Sequence, residues 1–356
     1  MSRVKGNKHI DRSMIRRILV RATNWVGDGV MSLPALEAVK GNFPSSSVTV
    51  LAKPWVLPLF EDHPAVDQTF PFEKGEGALT WLGEVIRVIR WIRESKFDLA
   101  ILFQNAFEAA LLAYLGGVRF RVGYNTDGRG LLLTHSVIRD SKVLEDHQTE
   151  YYLSILRAMG WQAESHNPSV HLRKKDVEEA SHILNLNGIG DGEPLIGLGP
   201  GAIFGWSKRW PPDRFAQIGD RAAEEWGARI LLFGSSRERE VCEGVRKAMR
   251  NPPVNLCGQT SLGEAMGLIS RCHLFVTNDS GLMHISAGLG VLTVAIFGST
   301  DPRSTGPRGS RAKIVRHEVE CAPCFESDCP TDHRCMQSVK ADEVWETMKE
   351  LKEGVE

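Results

Sequence analysis

The residues best equipped for chemistry lie at Asn278-Asp279-Ser280-Gly281, inside the segment FVTNDSGLMHISA that runs from Phe275 to Ala287. An apolar run of strand type stops at this turn and restarts as a helical pattern carrying His284. A strand ending in a capping Ser and a Gly leaves the next helix's first N–H groups unpaired, and that helix end carries about half a positive charge. Ser280, Gly281 and Leu282 are therefore expected to hold an anion such as a phosphate through backbone alone. Asp279 is expected to orient the loop or a ligand hydroxyl. His284 either points back at the anion or is a buried histidine bonded within its helix.

Two further loops supply complementary groups. Gly197-Leu198-Gly199-Pro200-Gly201 follows a strand signal, and glycines there, Gly201 above all, let backbone approach a ligand. Lys208 and Arg209 come next in Trp206-Ser207-Lys208-Arg209-Trp210. Adjacent cations beside such a turn suit a diphosphate, with Lys208 the candidate and Arg209 structural; the alternative is a surface pair. Downstream, Glu238 and Glu240 follow another strand in Gly234-Ser235-Ser236-Arg237-Glu238-Arg239-Glu240. Either carboxylate could take ribose hydroxyls, or both simply suit a helix dipole.

Near the start, Asn24-Trp25-Val26-Gly27-Asp28-Gly29 separates a strand signal from a helix. A dinucleotide-binding turn needs GxGxxG, and Ser32 stands where the third glycine belongs. What remains is an acid on a tight loop, so Asp28 reads as a general base or as a helix N-cap, with Asn24 and Trp25 flanking it as acceptor contacts. Arg119, Arg121 and Arg129 are either contacts for an acidic acceptor or ordinary surface charge. Cys321, Cys324, Cys329 and Cys335, near His333, offer enough thiols for a tetrahedral zinc, but their irregular spacing equally suits a loop of reduced cysteines. The stretch Leu79–Glu94 sets Leu82, Val85, Ile86, Ile89 and Ile92 at helical spacing beside Arg87, Arg90 and Arg93. It is a core-packed helix with a solvated edge, or a face for anionic lipid.

These loops need a scaffold of alternating strands and helices. Strand signals fall at Arg17–Ala22, Val48–Ala52, Leu99–Phe103 and Arg121–Tyr124, then at Leu195–Leu198, Ile230–Phe233, Val254–Leu256, Leu274–Thr277 and Thr293–Phe297, with helical periodicity between them. The rhythm predicts an α/β protein of two Rossmann-like, doubly wound domains facing a central cleft, with ligands at the carboxyl ends of both sheets. The expected division is residues 1–170, a linker region at 171–192, a second domain at 193–335 and a C-terminal helix at 336–356, free to pack on either domain.

Composition narrows the class. The chain has 356 residues, 24% charged and 42% hydrophobic, with formal charge −1, which gives no global basicity for nucleic acid. Six Lys/Arg against one acid in Met1–Arg17 make a solvated, partly disordered arm. No segment approaches the roughly 18 apolar residues of a membrane span, nor is there a secretory signal, so a cytoplasmic protein is expected. Seven cysteines in a reducing compartment argue against a disulfide framework.

Read together, NWVGDGVMSLPAL, PGAIFGWSKRWPPDRF, LCGQTSLGEAMGLI, VTNDSGLMHISAGLG and CAPCFESDCPTDHRCM closely resemble the ADP-heptose:lipopolysaccharide heptosyltransferases of glycosyltransferase family 9, in order from Arg17 to about Met336. The resemblance implies a GT-B architecture, with an N-terminal acceptor domain and a C-terminal nucleotide-sugar domain. It implies inverting transfer of L-glycero-D-manno-heptose from ADP-heptose to the heptose already on the Kdo-lipid A inner core, and transient contact with the inner face of the cytoplasmic membrane. Asp28 matches the family's candidate base, Lys208 the lysine that meets the diphosphate, and Asp279–His284 its phosphate-binding turn. No cofactor or divalent cation is expected. The alternatives are transfer to another inner-core position, or a nucleotide-sugar epimerase of the same layout. Ile203 departs from the polar or small residue often found there, and the cysteine-rich tail recurs in relatives.

Overall fold

The computed structural model describes residues 4–6, 10–73, 75 and 77–354. It divides into two compact units, Met1–His171 and Leu172–Glu356.

In the first unit the chain runs β1 (Val4–Lys5), β2 (Arg17–Arg21), α1 (Val26–Met31), α2 (Leu33–Asn42), β3 (Ser47–Ala52), β4 (Gln68–Pro71), α3 (Ala78–Ser95), β5 (Leu99–Leu102), α4 (Phe107–Leu115), β6 (Phe120–Tyr124), β7 (His135–Val137), α5 (Ser141–Glu145) and α6 (Gln148–Ala158). Its sheet has the order β1-β7-β6-β5-β2-β3-β4, parallel except for β1, which pairs antiparallel with β7. Val4 and Lys5 of the basic arm thus form an edge strand; residues 1–3 and 7–9 of that arm lie outside the described residues. Under the sheet, Val88 and Ile92 of α3 join Phe72, Leu102 and Ala110 in a buried cluster, and Trp91 stacks on Phe70 with centroids 3.7 Å apart. Leu79, Leu82 and Ile86 face outward from the same helix, so only its other stripe is core.

The second unit contains α7 (Lys174–Leu186), β8 (Leu195–Gly199), α8 (Pro212–Trp226), β9 (Arg229–Leu232), α9 (Arg239–Ala248), β10 (Val254–Asn255), α10 (Leu262–Ser270), β11 (Leu274–Asn278), α11 (Gly281–Gly288), β12 (Leu292–Ile296), α12 (Pro302–Thr305), β13 (Ala312–Val315), α13 (Arg334–Ser338) and α14 (Ala341–Glu353). Its sheet is fully parallel, in the order β10-β9-β8-β11-β12-β13. Trp210 and Trp345 are fully buried in its core, each contributing about 2–3 kcal/mol of apolar burial.

Two expected boundaries move. Most of the 171–192 region is not a linker, since α7 packs on α10 and buries Ala180 and Leu184. The C-terminal helix is not separate either, because Val344, Trp345 and Met348 of α14 sit in the second core and Trp226 stacks on Trp345.

Setting aside β1, both sheets have the doubly wound order in which the third, second and first strands run one way and the fourth, fifth and sixth the other. The reversal lies between β2 and β5 in the first unit and between β8 and β11 in the second. At such a point the two connections leave the sheet on opposite faces, opening a crevice beyond the strand carboxyl ends. Helix α1, which carries Asp28, follows β2, and the turn carrying Asp279 follows β11.

Candidate active site

In the second unit the turn at the switch point starts from the end of a buried strand. β11 is buried throughout, and Asp279 N–H still bonds Ile296 O of β12 at 3.2 Å, so the turn starts in a defined place. Asn278 ties it to the neighbouring loop, accepting from Trp210 N at 3.0 Å and donating to Pro200 O at 2.8 Å. Ser280 is the N-cap of α11, in extended backbone and without a side-chain cap bond. Ser280, Gly281 and Leu282 are half-buried.

Lys208 comes to this helix end from another loop. Its Nζ lies 2.5 Å from Asp279 Oδ2, to which Thr300 Oγ1 also donates at 2.7 Å, and 4.7 Å from the centroid of Phe204. Asp279 is only 5% exposed, and Lys208 retains 13% of its side-chain surface. A cation, a helix N-terminus without a side-chain cap and a glycine loop are therefore brought together. His284 joins them in sequence but is buried one turn into α11.

The remaining donor-side residues separate. Glu238 packs against Gly201, where an added Cβ would lie 2.1 Å from Glu238 Oε1. Its Oε2 accepts from Ser235 N and Ser235 Oγ, both at 2.8 Å, in a capping box. Glu240 is exposed on the first turn of α9, and no described contact ties it to this group. Arg209 donates to Ala202 O and lies over Trp206, so it is structural. Ile203 is half exposed.

The cysteine-rich segment straps the Lys208 turn from outside. Ser207 N donates to Ser327 O at 3.0 Å, Ser207 Oγ bonds Glu326 O, and the Ser207 carbonyl pairs with His333 Nε2 at 3.0 Å. Cys335 is buried, Cys329 half-buried, and Cys321 and Cys324 exposed, all as free thiols. Among the described residues no group of three or more His, Cys, Asp or Glu side chains is arranged to hold a metal ion. All four thiols line one small cavity beside Ser207 and Ser299, and backbone bonds hold this loop in place.

In the first unit Asp28 does not stand on a loop. It is the third residue of α1, whose N-cap is Trp25, so the N-cap alternative fails as well. Half-buried, Asp28 accepts at Oδ1 from Tyr152 Oη of α6 at 3.0 Å. Around it, Trp25 is 61% and Trp55 53% exposed, and the Trp55 indole donates to Asn24 O at 3.0 Å. Asn24 Oδ1 accepts from buried Arg21, whose pKa burial lowers to about 10 against the attraction of Glu108. Lys53, also buried, lies over Phe72 with Nζ 4.4 Å from the ring centroid.

The three arginines part company. Arg129 is fully buried, donating from Nε to Tyr124 O at 2.7 Å, from Nη2 to Asn105 Oδ1 at 3.0 Å and from Nη1 to Gln104 O. Burial brings its pKa down to about 10, partly offset by Tyr151 and Asp127. This corrects its assignment as an acceptor contact, because carbonyls and an amide use its guanidinium. Arg121 is similarly engaged, with Leu132 O at 2.6 Å and Val118 O. Arg119 is exposed.

Sequence reasoning passed over Tyr152, Lys53, Trp55 and Thr300. Lys53-Pro54-Trp55 directly after β3 was a usable signal; for Tyr152, 124 residues from Asp28, there was none.

The sequence profile of glycosyltransferase family 9 (heptosyltransferase) matches residues 85–334. The chain belongs to this family. It is a glycosyltransferase, and the family match removes the support for an epimerase. Lipopolysaccharide heptosyltransferase 2 of Salmonella typhimurium (strain LT2) is 32% identical over 312 residues, covering 84% of this chain and 88% of that protein. Lipopolysaccharide heptosyltransferase 2 of Escherichia coli (strain K12) is 30% identical over the same shares. The solved structure of E. coli ADP-heptose LPS heptosyltransferase II superposes with a TM-score of 0.82 at 27% identity, over 95% of this chain and 99% of that one, and shares the GT-B architecture.

Proposed function

We propose that this glycosyltransferase moves L-glycero-D-manno-heptose from ADP-heptose to the first heptose of the lipopolysaccharide inner core, with inversion. The observation that carries the donor side is the convergence of Lys208 and the uncapped N-terminus of α11 beside Asp279. A lysine held by Asp279 beside a helix N-terminus offers donors already aimed at a diphosphate that gains negative charge as it leaves. The relatives' names supply the sugar and the acceptor class.

In the proposed reaction Asp28 takes the proton of the acceptor hydroxyl while that oxygen attacks the anomeric carbon. The bond between that carbon and the β-phosphate oxygen breaks heterolytically, and ADP departs with the electron pair, stabilised by Lys208 and the amides of Ser280, Gly281 and Leu282. Protonated Asp28 later returns its proton to water. Because these groups meet the diphosphate charge, the reaction does not strictly require a divalent cation. The acceptor's lipid anchor brings the enzyme transiently to the inner face of the cytoplasmic membrane. No helix among the described residues is long and apolar enough to cross a bilayer.

ADP release from ADP-heptose, measured with inner-core acceptors bearing zero, one or two heptoses, tests this reading. Release only with the one-heptose acceptor is expected. Release confined to another acceptor would reassign the position, and a new nucleotide-sugar formed without acceptor would point to an epimerase.

A further inference from the structure

Helix α6 presents consecutive tyrosines to two parts of the first unit's switch point. Tyr151 Oη accepts from Asn105 Nδ2 at 2.7 Å, while Tyr152 Oη reaches Asp28 Oδ1 at 3.0 Å. One turn earlier on the same helix, Gln148 Nε2 lies 3.1 Å from Tyr152 Oη. An ionised carboxylate only accepts hydrogen bonds, so the phenol's single proton must point at Asp28 and Gln148 must present its amide N–H. The direction of the chain Gln148→Tyr152→Asp28 is therefore set by chemistry.

Tyr152 is 2% exposed, and its ring lies between Phe103, with centroids 5.5 Å apart, and Tyr151, in a T-shaped pair. Burial first, then the charge of Asp28, push the phenol's pKa well up, so it stays protonated and remains a donor. Asp28 itself sits on a helix of only six residues whose N-cap makes no side-chain bond. Tyr152 of the neighbouring helix is one of the groups that hold its carboxylate.

We propose that Tyr152 is a positioning residue for the transfer: its hydroxyl fixes the Asp28 carboxylate in the orientation from which it removes the acceptor's proton. Tyr152 keeps its own proton throughout and gains or loses no bond. This rests on the reading of Asp28 as the base, and the experiment separates the two.

Turnover, ADP affinity and melting temperature are measured for Tyr152→Phe, Asp28→Asn and the double variant. Tyr152→Phe keeps the ring and removes one hydrogen bond to a charged group, so turnover should fall about 10- to 100-fold with ADP affinity unchanged, a fall beyond any loss of folded protein that the melting temperature reports. On the Asp28→Asn background the same change should cost nothing further, because the hydroxyl acts through that carboxylate. Full activity of Tyr152→Phe, or an equal additional loss in the double variant, would overturn the proposal. Full activity of Asp28→Asn would instead overturn the base assignment. Should Tyr152→Phe melt early, Gln148→Glu serves: it keeps the ring but draws the phenol proton away from Asp28, and should reproduce the loss. Undiminished turnover there would count against the proposal.

Discussion

Lys208 Nζ and Asp279 Oδ2 lie 2.5 Å apart across 71 residues of sequence, on two loops that leave neighbouring strands of one sheet. The aspartate holds the lysine at the N-terminus of α11 before any donor arrives. A diphosphate arriving there meets a cation whose position is already set. Lys208→Ala should weaken ADP binding about 10- to 100-fold and lower turnover too, since the charge is used both before and during departure. Titration calorimetry with ADP reads the first effect; unchanged affinity would remove Lys208 from the donor site.

Gly201 gives way to nothing larger. A Cβ there would sit 2.1 Å from Glu238 Oε1 and 2.4 Å from its Cδ. A surface glutamate would swing aside, but this one is buried and its other oxygen closes the capping box on Ser235. Gly201→Ala is expected to displace Glu238, lower the melting temperature and weaken ADP binding. Differential scanning fluorimetry with and without ADP shows both.

Acid should loosen the second unit through Asp220. Its burial would raise the carboxyl pKa, but N–H bonds from Asn251 and Arg250 outweigh this and hold it below the usual 3.8. A carboxylate whose pKa is depressed on folding stabilises above its unfolded value and loses that contribution as pH falls through the folded one. Asp220→Asn should therefore melt lower than the wild type at pH 7, by about 1–3 kcal/mol of stability. Between pH 7 and pH 3 the gap should narrow, and a gap that stays constant would contradict the assignment.

The charge stabilisation proposed for the diphosphate comes from Lys208 and backbone amides. ADP release is accordingly expected to persist in excess EDTA. Activity abolished by EDTA and restored by Mg²⁺ would show that these groups do not suffice.

Much of this arrangement was legible in the amino-acid sequence, for identifiable reasons. Buried strands such as Leu274–Asn278 are continuous apolar runs, and the turns after them announce themselves by Asp, Ser and Gly. Edge strands escaped: Gln68–Pro71 and Ala312–Val315 are short and partly exposed, so they lack an apolar run. Helix α7 read as a charged linker because Lys174–Leu186 buries only Asp176, Ala180 and Leu184. Arg129 read as an acceptor contact or as surface charge because no local pattern reveals that Tyr124 O, Gln104 O and Asn105 close around it. Asp28 was visible by its glycine flanks, yet its helix and its partner Tyr152 depend on contacts that only the folded chain makes.

The division of labour between base and leaving-group site is tested most directly by comparing Asp28→Ala with Lys208→Ala in turnover and in ADP affinity. Loss of a positioned base costs roughly 10²- to 10⁴-fold in rate, so Asp28→Ala should lower turnover by about that factor while its ADP affinity stays at the wild-type value. Lys208→Ala should lose both. Full turnover in Asp28→Ala, or a loss of ADP affinity matching that of Lys208→Ala, would contradict the account.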